Sequence, residues 1–562
     1  MRWGAALLIG LLALGWRLHG LDAVPWYPDE ADTAELALCY AQGQAPVAGA
    51  IKQSAFFPLS ASPMAPLAAV PALRALGGGA LPALRRWSAL LSAAACALLA
   101  WLLWAWVGPW AALAAGSGLA LSPLARDLGQ MGFYHHLGAL LSLTALAAWW
   151  RYQRAPDARG LALLGLACGL SVAAAYWLLW LLLLPLAAAL MARRPRDLVW
   201  ALPGLLLPLA AVALWSWHAD PAGFWGDLHD LLTLTQDQLP EPLRRYRAFI
   251  GFYQAARADP GLAMALLGLL GWAWQDRAKG AGSAAWAAGL WALASSGEIF
   301  RQRQNLEGFP YPLILVLPAM GLGLGVAAQG LATWGWRGRP TFKLLAALGL
   351  AAGVWAVGRE PDLGLMRLAS APVADTQALL AALPSLAKPG DRVLGQPSFN
   401  WALRQKGLVA SDLEQASAYI GERGAFMRGD LLHDRFTAPL GLEGVKWLVI
   451  SPYTYGIQCM QPGPRRLLLQ AEMGGWGKAW GNATYTVYGN PALGAPLSPV
   501  TAALLGYYNV YDQAAVDAMA RQDWAAARWA LMRVRDHPEG DRAGRLRALA
   551  QVEAALRRAK HG

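Results

Sequence analysis

Residues 3–35 read WGAALLIGLLALGWRLHGLDAVPWYPDEADTAE. The first half is an apolar helical run, about 3–19, that follows Arg2. It has the layout of a signal peptide without a convincing small-x-small cleavage site, and many more apolar runs follow, so it reads as an uncleaved first span. The second half carries Asp22, Asp29, Glu30, Asp32 and Glu35. A basic start and an acidic sequel put the amino terminus inside and the loop outside. The rest of the chain keeps that pattern. Of 562 residues 56% are hydrophobic and 15% charged, against roughly 25% charged in soluble proteins. With 29 Trp and a mean hydropathy of +0.32, the chain has lipid as a solvent. A soluble enzyme, a disordered scaffold and a disulfide-stapled secreted domain are excluded, and the fold class is a polytopic α-helical membrane protein.

A bilayer core takes about 20 helical residues. Eleven runs qualify: 3–19, 87–107, 109–125, 132–150, 160–175, 176–191, 197–217, 259–274, 283–297, 309–330 and 341–357. The inner connections then carry Arg151, Arg154 and Arg159, next Arg193, Arg194 and Arg196, then Arg277 with Lys279, and last Arg337, Arg339 and Lys343. This inner clustering explains the net charge of +12 without nucleic acid, for which no basic–aromatic binding stripe is present. The apolar stretch Leu59–Leu76 breaks the alternation if it spans, so it reads as an interfacial or re-entrant helix, which leaves Arg85 and Arg86 outside. Two long outer loops result, about 20–64 and 218–258. The sidedness puts Cys39 and Cys459 in one compartment, which allows a disulfide between them.

The membrane domain covers 1–358. Residues 359–496 are of soluble type, with a helix over Ala374–Ala387 ended by Lys388-Pro389-Gly390 and strands at Arg392–Leu394, Val445–Ile450 and Thr484–Tyr488, which predicts a small outer α/β domain. The tail, 497–562, is helical. Trp524, Ala527, Leu531 and Val534 recur at helical spacing, as do Leu546, Leu549, Val552 and Leu556. Met519–Leu556 amounts to about one tetratricopeptide-type hairpin, which cannot bury a core alone and so packs on the domain before it or on a partner protein.

The chemistry is concentrated in the first outer loop, at Trp26-Tyr27-Pro28-Asp29-Glu30. Proline followed by acids starts a helix, and carboxylates suit the positive end of its dipole. Read plainly, this is a solvated acidic cap. Read as chemistry, a carboxylate where head groups meet water can take a proton from an attacking hydroxyl or amine. A second acid can orient it or hold a divalent cation. Spacing alone leaves these roles open, and no nucleotide-binding glycine fingerprint accompanies them.

Arg17, Pro28-Asp29-Glu30, Ala34-Glu35-Leu36-Ala37, the proline-rich Pro63–Leu67, Arg86-Trp87-Ser88-Ala89 and Leu121-Ser122-Pro123 before Arg126-Asp127 stand in the order found in GT-C glycosyltransferases. The chain resembles the bacterial branch of lipid A aminoarabinose transferases and protein mannosyltransferases over about 1–360, most closely over 15–150. The resemblance implies a multi-pass protein of a bacterial inner membrane with its carboxyl-terminal domain outside the cytoplasm. It implies inverting transfer of a sugar from a polyprenyl-phosphate donor to a lipid, glycan or protein acceptor on the outer face. Asp29 is then the general base and Glu30 its helper. The alternatives are a lipid-carrier transporter or an assembly scaffold acting through the tail.

The same resemblance implies cations for the leaving phosphate. Lys52 stands about where relatives place a phosphate-contacting lysine, although the residues after it depart from their Lys-Pro-Pro-Leu pattern. Arg301 and Arg303, outside against the charge bias, are further phosphate contacts, with Tyr311 beside them, or else pair with Glu298 or Glu307. A second site falls at Arg126, Asp127, His135 and His136. Relatives place an aspartate where this chain has the histidines, which puts a two-carboxylate metal site in doubt. Neighbouring histidines on a helix point about 100° apart, so both facing one metal is disfavoured. The loop 218–258, with Glu241–Arg247 and the aromatics Phe249, Phe252 and Tyr253, is either a segment that orders over a substrate or an amphipathic helix on anionic head groups.

Overall fold

A computed structural model of the chain describes residues 1–21, 24, 27–42, 63–76, 80–219, 224–225, 284–301, 311–333, 372–417, 441–456, 458–460, 462–495 and 508–561. It divides into two compact units, one formed by Met1–Val24, Thr33–Pro46 and Pro58–Met366, the other by Pro25–Asp32, Val47–Phe57 and Arg367–Gly562. The predicted runs at 259–274 and 341–357, and the loop segment Glu241–Tyr253, lie outside the described residues.

In the first unit the described helices are α1 (Arg2–Leu18), α2 (Pro28–Ala41, which continues from the other unit), α3 (Met64–Leu76), α4 (Ala80–Trp106), α5 (Pro109–Leu121), α6 (Pro123–Gly129), α7 (His135–Arg154), α8 (Ala158–Ala174), α9 (Leu184–Met191), α10 (Leu198–Ala219), α11 (Ala284–Arg301) and α12 (Leu317–Thr333). Short 3₁₀ segments at Tyr176–Leu183 and Tyr311–Leu315 precede α9 and α12. Two helices, Leu81–Trp106 and Pro195–His218, have the length and apolarity to cross a bilayer among the described residues, and five shorter apolar helices accompany them. Only 17% of the Pro195–His218 window is buried inside the protein. Val199, Trp200, Leu206, Leu207 and Leu214 all face outward from α10. So extensive an apolar face fits lipid rather than water.

The expected span 109–125 is shorter than predicted, because Ser122 ends it. Its Oγ accepts from Ala125 N at 3.2 Å and Pro123 follows at the first helical position, so Leu121-Ser122-Pro123 closes α5 and caps α6. The proline-rich Leu59–Leu76 region contains α3, whose 13 residues span about 20 Å, too short for a bilayer core.

Two of the basic connections, 151–159 and 193–197, meet in the structure. Asp157 caps α8 through Gly160 N at 2.5 Å and faces Arg151 at 3.7 Å. Arg194 donates to Pro156 O at 2.8 Å and faces Asp197 at 4.0 Å. Helices α8 and α10 pack backbone to backbone above them. A Cβ on Gly169 would stand 2.5 Å from Leu205 O, one on Gly204 2.8 Å from Leu166 N, and one on Gly165 would collide with Ala201 O. Gly165 and Gly169 form the small-x-x-x-small spacing that lets membrane helices approach closely. Gly169→Val is therefore expected to cost about 1–3 kcal/mol, seen as a lower thermal midpoint of the detergent-solubilised protein, whereas Gly4→Val, where a Cβ meets nothing within 4 Å, leaves it unchanged.

The second unit holds α13 (Val373–Leu386), β1 (Arg392–Gly395), α14 (Pro397–Gln405), β2 (Val409–Asp412), α15 (Leu413–Ala416), β3 (Val445–Ile450), α16 (Pro452–Gly456), α17 (Pro462–Met473), β4 (Gly477–Gly481) and β5 (Thr486–Gly489), then α18 (Tyr508–Ala520), α19 (Trp524–Val534) and α20 (Arg542–His561). The predicted helix and three strands appear, joined by β2 and β4. The sheet order is β2-β1-β3-β5-β4, with β1 parallel to β2 and β3, and β5 antiparallel to β3 and β4.

The tail packs on the domain before it. One core joins Leu394, Val445, Leu448 and Ile450 of the sheet to Leu467 and Leu468 of α17, Tyr511, Ala514 and Ala518 of α18, Ala527, Leu531 and Val534 of α19, and Leu549 and Val552 of α20. Polar ties reinforce it: Arg465–Asp517 at 2.6 Å, Arg533–Glu472 at 2.8 Å, Tyr511 Oη donating to Glu472 at 2.7 Å, and Arg545–Asp512 at 2.6 Å. Leu546 departs from its predicted face and is 46% exposed. Cys459 is a buried free thiol, which corrects the disulfide allowed for it. Burial pushes its pKa up to about 12, so it is unreactive at neutral pH.

Candidate functional site

Helix α2 begins at Pro28, so Asp29 and Glu30 occupy its second and third positions. The Glu30 carboxylate is fully buried and accepts a hydrogen bond from Tyr27 N at 3.0 Å. That is the return half of a capping box, in which the third helical residue reaches back to the residue before the helix. Glu30 therefore fixes the start of α2, and Asp29 stands in the first turn, where the helix dipole favours a carboxylate.

The chain leading into this turn is held by long-range contacts. Arg85, only 3% exposed, donates to Val24 O at 2.6 Å, which gives it a structural task. Gln130 donates to Arg17 O at 3.0 Å and to His19 O at 2.8 Å. Arg17 itself is fully buried. Its guanidinium makes five hydrogen bonds: Nε to Ser92 Oγ at 2.9 Å, Nη1 to Ala13 O at 3.2 Å and Ala120 O at 3.4 Å, and Nη2 to Leu119 O at 3.2 Å and Cys96 Sγ at 3.7 Å. None of these partners is a carboxylate. The charge is met by the carbonyl end of α5, where the helix dipole is negative. Arg17 thus joins α1, α4 and α5 at one point. A cavity of about 20 Å³ lies beside it, lined also by Ser92, His136 and Pro318, with room for about one water.

The second predicted site divides. Arg126 and Asp127 pair with each other at 2.6 Å, and the guanidinium lies 5.3 Å from the Trp16 ring centre. The two histidines part company, as the helical angle requires. His135 stacks on Tyr134 with ring centres 4.0 Å apart, while His136 Nε2 lies 2.9 Å from Leu128 O. Among the described residues no cluster of three His, Cys, Asp or Glu could hold a metal ion. Arg301 closes α11 and Tyr311 opens the following 3₁₀ turn. Lys52 and Arg303 lie outside the described residues. Ser92 and Gln130 were not singled out in the sequence, and Arg85 stood out there only as a basic residue against the charge bias. The signal for Arg17 was present, since a charge one turn from the end of an apolar run must find partners.

No family model matches this sequence, and no curated protein matches it. Solved structures do. ArnT from Cupriavidus metallidurans bound to undecaprenyl phosphate aligns over 88% of this chain and 99% of its own, with 16% identity and a TM-score of 0.57. An oligosaccharyltransferase from Archaeoglobus fulgidus aligns over 89% of this chain and 75% of its own, at 12% identity and a TM-score of 0.47. Over most of its length this chain therefore has the fold of ArnT.

Proposed function

We propose that this protein is an integral-membrane glycosyltransferase that moves a sugar from a polyprenyl-phosphate donor to a lipid, glycan or protein acceptor on the outer face of a bacterial inner membrane. The observation that carries this reading is the likeness to ArnT, whose structure holds undecaprenyl phosphate, across both the helical unit and the α/β unit. The acceptor hydroxyl or amine attacks the anomeric carbon while the bond from that carbon to the phosphate oxygen breaks, with inversion. Asp29 takes the acceptor's proton, and polyprenyl phosphate leaves as an anion. Lys52, Arg301 and Arg303, with Tyr311, are the groups proposed to meet that charge. Asp127, or His135 and His136, would stand in for the family's second acidic position, and any divalent cation requirement would act there or at Asp29.

Glu30 is a positioning residue in this scheme. Gln at the third helical position retains an acceptor oxygen for Tyr27 N, whereas Ala does not. Glu30→Gln is expected to keep most transfer, and Glu30→Ala to lose about tenfold, or about 1.4 kcal/mol. Equal loss in the two variants would instead make the ionised carboxylate itself essential. The overall activity is tested by supplying the purified protein with polyprenyl-phosphate sugars extracted from membranes, together with membrane glycolipid and protein. Sugar-dependent release of polyprenyl phosphate is expected, and intact donor after prolonged incubation would contradict the reading.

A further inference from the structure

The sheet of the second unit has an edge that the transfer chemistry does not use. Strands β1, β2 and β3 run parallel, with β2 on one side of β1 and β3 on the other. Their carboxyl ends share one edge; the connection after β1 runs to β2 on one side and the connection after β3 runs to β4 on the other, so the direction reverses between β1 and β3. In open parallel sheets the crevice outside the carboxyl ends at such a reversal is where ligands bind.

The side chains at this edge are of one kind. Gly395, the last residue of β1, pairs in register with Asp412, the last of β2. A Cβ on Gly395 would come within 2.9 Å of Asn400 Oδ1, so glycine is what lets that amide lie over the strand end. Asn400 is 3% exposed, and its Oδ1 has no hydrogen-bond partner among the described residues. Beside it Ser451 Oγ, just past the end of β3, donates to Gln396 Oε1 at 2.6 Å. Gln396 Nε2 donates to Ser398 Oγ at 2.5 Å and to Tyr485 Oη at 3.5 Å. Every one of these groups is neutral except Asp412.

A buried acceptor left without a donor calls for an explanation, and a ligand is the one its location suggests. Amides, hydroxyls, one carboxylate and an aromatic ring, with no arginine or lysine among the described residues that these bonds join, do not make a phosphate site. They match a neutral polyol, whose hydroxyls both donate and accept. We infer that the carboxyl edge of this sheet is a carbohydrate-binding subsite, with a sugar hydroxyl donating to Asn400 Oδ1. Sugar binding stands by itself. That the sugar belongs to a glycan acceptor rests on the transferase reading.

The test is saturation-transfer NMR on the full-length protein in nanodiscs, without donor, against glucose, galactose, mannose and N-acetylglucosamine. At least one sugar is expected to receive saturation from the wild type, with the signal falling at least fivefold in both Asn400→Leu and Ser451→Ala. Ser451→Ala removes one hydroxyl and guards against misfolding of the larger change. No transfer to any of the four sugars, or an undiminished signal in Ser451→Ala, would overturn the subsite. Because no donor is present, that result leaves polyprenyl phosphate release, and with it the transferase reading, to stand or fall separately.

Discussion

Asp29→Asn is expected to cut sugar transfer by about 10²–10⁴-fold, the range a positioned general base supplies. The substitution is nearly isosteric, and asparagine is also tolerated in the first turn of a helix, so α2 should still begin at Pro28. The capping bond from Tyr27 N to Glu30 involves neither atom that changes. Donor binding should therefore persist while turnover is lost. A companion change sharpens the expectation. Asp29→Glu keeps the charge but lengthens the side chain, and should recover part of the rate with a pH dependence that asparagine lacks. Loss of donor binding in Asp29→Asn would assign the carboxylate to binding rather than proton transfer.

The second large effect is expected at Arg17, and it is an effect on stability. Removing the guanidinium strands Ser92 and the carbonyl groups of Leu119 and Ala120 in a buried setting. Each stranded group costs about 1–3 kcal/mol. Arg17→Met fills much of the volume without supplying donors, and is expected to lower stability by about 3 kcal/mol or more. The readout is the thermal midpoint of the protein in detergent. Arg17→Lys restores the charge but brings three donors in place of the planar fork, so it should recover only part of the loss. Full recovery by lysine would mean that charge alone, rather than the fivefold hydrogen-bonding geometry, holds α1 to α4 and α5.

How far these features were legible in the sequence depended on whether their signal was local. The start of α2 was readable because proline and the acids after it act on their own turn. Strand β3, Val-Lys-Trp-Leu-Val-Ile, carries its β-branched and aromatic residues in one run. By contrast β2 is Val-Ala-Ser-Asp and β4 is Gly-Lys-Ala-Trp-Gly. Their own residues argue weakly for a strand, and only the neighbours at β1 and β5 make them one. Ser122-Pro123 was recognised as part of a family order, but its physical task, ending α5 and capping α6, was hidden inside an apolar run. Leu546 shows the limit of periodicity, since it shares the spacing of Leu549 and Val552 yet is 46% exposed.

The site was legible in the same graded way. Glu30 could be placed beside Asp29, but its cap to Tyr27 needed coordinates. The convergence of Arg17, Ser92, Gln130 and the carbonyl end of α5 joins positions more than 70 residues apart, so no local spacing could announce it. The division of His135 from His136 was foreseeable from helical geometry alone, and the structure gives each a separate neighbour.

Asp29 as the base is tested most directly by native mass spectrometry of the Asp29→Asn protein, extracted gently from membranes that contain its natural lipids. The expected result is a bound species with the mass of a polyprenyl phosphate carrying one sugar, trapped because the base is missing. Its mass would also name the donor sugar. Bound phospholipid alone, in a variant that still restores growth or envelope glycosylation to a deletion strain, would contradict Asp29 as the base and the transferase reading with it.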